Sequence, residues 1–176
     1  MRRLLPLLFA PVLGACGLIP LPEVRSDDFY VVNTVADLQP HEVLYIDANQ
    51  MDAVRAPDVR VSRVTLDASL TGMGDNDDLR LQLFVARARP ACPVIPTPAE
   101  YVGYSGALRC TDPAGGEPLA EVTVKRGLAT PVHMEGAALD RAVRARQVYL
   151  GVRVLRGTAR TGPFLKVSTI RLNGRF

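Results

Sequence analysis

The chain has 176 residues, 48% of them hydrophobic and 22% charged, with three cysteines and no tryptophan. That is one packed domain with room for a leader and a linker, and it excludes a disordered chain. The formal charge is +3, but Arg2 and Arg3 stand at the N-terminus where there is no acid, leaving 19 bases against 18 acids; such a balance gives no long-range field for nucleic acid.

Residues 1–15 have the three parts of a secretory signal: the basic Met1-Arg2-Arg3, an apolar run from Leu4 to Leu13, and the small residues Gly14 and Ala15. An apolar run of about ten residues reaches only about 15 Å as a helix, half the bilayer core, and Pro6 and Pro11 interrupt it. The run closes on Leu13-Gly14-Ala15-Cys16. These four residues resemble the lipobox of bacterial lipoproteins. The resemblance implies a diacylglyceryl group on the Cys16 sulfur, cleavage before Cys16, and an exported protein held by its acyl chains, each buried methylene contributing about 0.8 kcal/mol. Membrane lipid is then the partner expected through Cys16, with other envelope proteins as further partners. Gly17, where retention in the inner membrane favours Asp, points to the outer membrane in a cell that has two.

Residues 16–28 follow as a lipidated N-terminus and an extended tether carrying Pro20 and Pro22. From Phe29 a period of two dominates, and 29–176 reads as a single domain. Phe29 to Val35 and Val43 to Asp47 are short strands. Val59 and Val61, then Val64, Leu66, Ala68 and Leu70, alternate with other residues, and the phase slip at Ser62-Arg63 predicts a β-bulge. Leu79, Leu81, Leu83 and Val85 alternate as a half-buried strand. Residues 90–118 read as a Pro-rich loop with a short strand within Tyr101–Leu108. Ala120 to Lys125 is a strand. Gly136 to Gln147 is the one helix, with Leu139, Ala142 and Val143 as its buried stripe and Arg141, Arg144 and Arg146 in solvent. Val148 to Val154 and Phe164 to Leu172 complete the pattern. About seven short strands with one short helix near 137–147 give an all-β class: an antiparallel β-sandwich, immunoglobulin-like or jelly-roll-like. Phe176 ends the chain as in outer-membrane barrels, but the short, Arg-bearing strands argue against one.

Cys92 and Cys110 lie 18 positions apart on the Pro-rich loop. An exported domain permits a disulfide there, and the absence of Cys-x-x-Cys or a nearby His argues against metal or redox work. Tyr101 and Tyr104 on the same loop are candidate binding residues. Gly103-Tyr104-Ser105-Gly106-Ala107 approximates a nucleophile elbow but ends in Ala107 and has no strand-to-helix setting. An exported hydrolase acting on envelope or extracellular substrate, with Ser105 or a carboxylate as its active group, is therefore the alternative to a non-catalytic binding, scaffolding or accessory role. His41 and His133 are the only histidines, too few and too far apart in sequence for a His-rich metal centre, and no cofactor is implied. Asp75-Asn76-Asp77-Asp78 offers hard oxygen ligands, but Arg80 stands where the EF-hand needs glycine, so the run reads as a turn. Arg141, Arg144, Arg146, Arg153, Arg156 and Arg160 make the C-terminal third basic and read as solvated faces.

Overall fold

The computed structural model describes residues 23–34, 38–52, 62–74, 78–95 and 106–175. Cys16, Tyr101, Tyr104, Ser105 and Asp75 to Asp77 lie outside the described residues, as does the signal segment. Alternating aliphatic residues fold as strands wherever one face can be buried. The strands are β1 (Val24–Ser26), β2 (Phe29–Asn33), β3 (Val43–Ile46), β4 (Ser62–Gly72), β5 (Leu79–Ala86), β6 (Val94–Ile95), β7 (Ala107–Cys110), β8 (Glu117–Val124), β9 (Ala129–Glu135), β10 (Tyr149–Arg156) and β11 (Gly162–Arg175). The helix is α1 (Ala137–Arg144).

All pairings between strands are antiparallel, in two sheets. In the first, β11 has β4 and then β9 on one side, and β1 and β2 end to end on the other. The second runs β6-β7-β3-β10-β5-β8. With the short β1, β6 and β7 set aside, the order is first-eighth-third-sixth in one sheet and second-seventh-fourth-fifth in the other. That is the strand order of a jelly roll, so the sandwich expected from sequence is a jelly roll and not an immunoglobulin fold.

Five details differ from the expectation. Among the described residues there are eleven strands, several of them very short, where about seven were expected. Val24 to Ser26, placed in the tether, pair with Leu172 to Ile170 as an edge strand. The stretch 90–118 holds β6, β7 and the start of β8. β9 was not expected at all; it carries Pro131 and runs along the sheet edge, where proline's missing N–H is tolerated. The helix is shorter than Gly136–Gln147, but its buried residues are Leu139, Ala142 and Val143 as expected. It covers the end of the sandwich where β4 begins, and Asp140 Oδ1 accepts the Val64 N–H at 2.8 Å.

The core fills the space between the sheets with inward residues such as Leu66, Leu70, Leu81, Leu83, Val152 and Val167. Two bulges keep this alternation in phase along the long strands. Arg63, at φ 54°, is the extra residue of β4 between Ser62 and Thr65. Thr169, also at φ 54°, is the extra residue of β11, so that Val167 and Ile170 both face inward.

Candidate functional site

The outer face of the second sheet is divided in two. One half is covered. Residues 111–116 cross from β7 on one flank to β8 on the other, over a small second core of Val43, Tyr45, Phe84, Ala86, Leu108 and Cys110. Tyr45 is fully buried there, and its hydroxyl donates to the Pro113 carbonyl at 2.5 Å. Burial pushes its phenol up to about 12. The Cys92–Cys110 disulfide forms as expected, with Cα atoms 5.2 Å apart, and ties the segment around Cys92, which also packs against this second core, to β7. Nearby, the Arg109 fork holds Glu42 through Nε–Oε1 at 2.9 Å and Nη2–Oε2 at 2.6 Å, and the Gln39 N–H adds a third bond at 2.8 Å. These bonds hold the Glu42 carboxyl below its usual value against the cost of burial.

The other half is open. At the ends of β5, β8 and β10, Asp78, Arg80, Glu121, Val122, Thr123, Arg156 and Gly157 line a groove of about 810 Å³. Its lining is a cross-strand grid. Thr123 and Arg156 flank Arg80 in register, and Glu121 and Arg153 flank Gln82 one row along. Glu121 reaches diagonally to Arg80, Oε2 to Nη2, at 2.7 Å. The register of β10 slips between Val154 and Arg156, which both pair within two consecutive residues of β5. Strict alternation after the buried Val152 and Val154 would point Arg156 into the core. The bulge turns it outward beside Arg80 instead. Gly157 closes the rim at φ 90°, where a Cβ would meet the Asp78 carbonyl at 2.6 Å. One row along from the groove, beside Gln82, the Arg153 guanidinium carbon lies 5.0 Å from the Phe84 ring centroid, and its Nε is buried without a hydrogen-bond partner.

A second polar cluster stands on the first sheet. His133 on β9 faces Asp67 on β4 in register, with Nδ1 to Oδ1 at 2.6 Å, and Glu135 Oε2 lies 3.6 Å from Nε2. Asp67 holds the His133 imidazole above its usual pKa. His41 is an exposed residue of the β2–β3 connection, so the structure does not bring the two histidines into one site. Among the described residues no group of three or more His, Cys, Asp or Glu is arranged to hold a metal ion. Asp78, at the end of the acidic run, instead lines the groove. The space between the sheets contains a cavity of about 40 Å³ with a nearly wholly apolar lining, room for a water or two but with no polar partners for them.

The sequence singled out Arg153 and Arg156 only as solvated arginines and passed over Arg80, Glu121 and Thr123. The groove needs three strands that are far apart in the chain, and its one sequence signal is the arginine at position 156 where the alternation calls for an apolar residue. No helix among the described residues is long and apolar enough to cross a membrane. No protein-family description, no curated protein and no solved structure matches the chain.

Proposed function

We propose that the chain is an exported lipoprotein of the bacterial envelope, anchored through acylated Cys16, whose jelly-roll domain has a non-catalytic role in binding or as an accessory subunit. The observation that carries this reading is Leu13-Gly14-Ala15-Cys16 at the end of a short signal-like segment. The Cys92–Cys110 disulfide supports it, because such bonds persist in exported proteins and are rare in the reducing cytosol. The groove supports binding over hydrolysis. Its carboxylate and guanidinium groups are spaced to hold a ligand, its lining among the described residues contains no imidazole, thiol or serine for a serine-type hydrolase, and one of its two carboxylates, Glu121, is already engaged by Arg80.

The fold also suggests an orientation. The chain enters the domain at Val24, opposite Leu172 near the end of β11, on the side where α1 sits. The groove lies at the other end of the strands, among Arg80, Thr123 and Arg156. Cys16 to Glu23 span at most about 29 Å when extended, and Val24 enters the domain at the end remote from the groove, so an anchor at Cys16 would leave the groove open to the space beyond the membrane. Gly17 fits delivery to the outer membrane in a cell with two. The test is palmitate labelling of the wild type and Cys16→Ser in the native host. Label is expected in the wild type alone; equal labelling, or an unmodified native peptide running through residues 14–18, would overturn the anchor.

A further inference from the structure

We infer that the groove at the ends of β5, β8 and β10 binds an acidic saccharide, its carboxylate held between Arg156 and Arg80 and its hydroxyls by Asp78, Glu121 and Thr123. The first ground is electrostatic. Arg80 and Arg156 stand directly opposite one another across β5 and β10. Like charges in that position are unfavourable in the free protein. Arg80 is relieved by Glu121 at 2.7 Å, whereas no ion pair or hydrogen bond involves the exposed Arg156 side chain among the described residues. An oxyanion seated beside Arg156 would remove the repulsion and gain a planar guanidinium partner suited to carboxylate.

The second ground is the bulge. It turns Arg156 out of the core position that its place in the alternation would give it, and it places the guanidinium on the groove wall.

The lining then narrows the ligand. Asp78 and Glu121 flank the two arginines, so a dense polyanion would meet carboxylates on both sides. A ligand with isolated negative charges separated by hydroxyl groups fits better, because carboxylates and Thr123 accept hydrogen bonds from hydroxyls. An extended peptide added as a strand would pair with the edge strand β8, whereas the two arginines lie inside that edge on β5 and β10, so strand addition would not use them. The volume of about 810 Å³ lies within the range of small-ligand sites.

Isothermal titration of the full chain, solubilised in a polyoxyethylene detergent, tests the inference without depending on lipidation. The probe is a hyaluronan tetrasaccharide, which carries one carboxylate per disaccharide. Saturable binding is expected, weakened at least tenfold in Arg156→Gln and several-fold in about 0.5 M NaCl, where charges are screened within a few ångströms. Arg144→Gln, at the opposite end of the domain, should bind as the wild type does. Arg156→Gln should unfold at the same temperature or higher, because it removes a like-charge pair. Failure to bind, equal binding by Arg156→Gln, or equal affinity for chitotetraose, inorganic phosphate or a tetraglutamate peptide would overturn it. The palmitate experiment stands or falls separately.

Discussion

Tyr45 shows how a single side chain dictates its neighbours. Its ring lies on β3 against Gly151 of β10, and a Cβ at Gly151 would come within 2.5 Å of Cε1 and 2.7 Å of Cδ1. Gly151 has no left-handed backbone to maintain, so the requirement is steric alone. Gly151→Ala should therefore lower the unfolding free energy by about 1–3 kcal/mol, as overpacking does, and the loss should largely disappear in a Tyr45→Ala background; a denaturant double-mutant cycle measures both. Glu42 makes a different demand. Its carboxyl is held low by Arg109, so it stabilises the fold above the unfolded pKa near 4.5 and loses that contribution as pH falls through the lower folded value. Glu42→Gln should cost about 2–3 kcal/mol at neutral pH, because the half-buried Arg109 loses its charged partner, and the gap from wild type should narrow below pH 4.5 in urea titrations. His133 works with the opposite sign. Its pKa is raised by Asp67, so the pair stabilises below 6.5 and fades as pH rises through the folded value. In Asp67→Asn the His133 proton resonances should titrate at lower pH than in the wild type. None of these partners was legible in the sequence, since Glu42–Arg109 and Asp67–His133 are 67 and 66 positions apart and depend on strand register.

At the level of elements, alternation was readable in β4, β5 and β10, and so was one of its slips. The break at Ser62-Arg63 is a bulge with Arg63 at φ 54°, and Val167 to Ile170 contains the same signal in the sequence. The elements that escaped did so for physical reasons. β1 sits among prolines and charged residues and pairs with β11 at the sheet edge, and β9 carries a proline that a central strand would reject. Thr169 gives these bulges a test. A β-branched residue at φ 54° is strained by roughly 1–2 kcal/mol. The residue is exposed, so replacing it disturbs little else. Thr169→Asn should raise the unfolding free energy by about 1 kcal/mol, because Asn tolerates the left-handed region. Thr169→Gly should gain less, because glycine adds entropy to the unfolded chain. Thermal unfolding of the two variants beside the wild type measures the order.

For the whole molecule, the jelly roll and the cover on its second sheet are two layers of stability with different supports. The inner core joins both sheets through residues such as Leu44, Leu81 and Leu165 and does not involve the disulfide. The outer core of Tyr45, Phe84 and Leu108 is closed by segments 87–95 and 111–116, and the Cys92–Cys110 bond ties the first of them to β7. The sequence made the disulfide legible through spacing and the implied export, but not the cover, because the path of the chain across the sheet face follows only from the strand order. Removing the bond should therefore loosen the cover first. The chain-entropy account of a closed loop of this length puts the loss at about 3 kcal/mol. In the Cys92→Ala/Cys110→Ala variant, amide exchange should quicken most in β6, β7 and residues 111–116, while β4, β5 and β10 keep their protection until global unfolding. Uniform acceleration across all strands would show instead that cover and sandwich unfold as one cooperative unit. The groove provides a further readout: it is built on β5, β8 and β10, so it should keep its saccharide affinity after the bond is removed, provided β8 stays paired with β5 when residues 111–116 loosen.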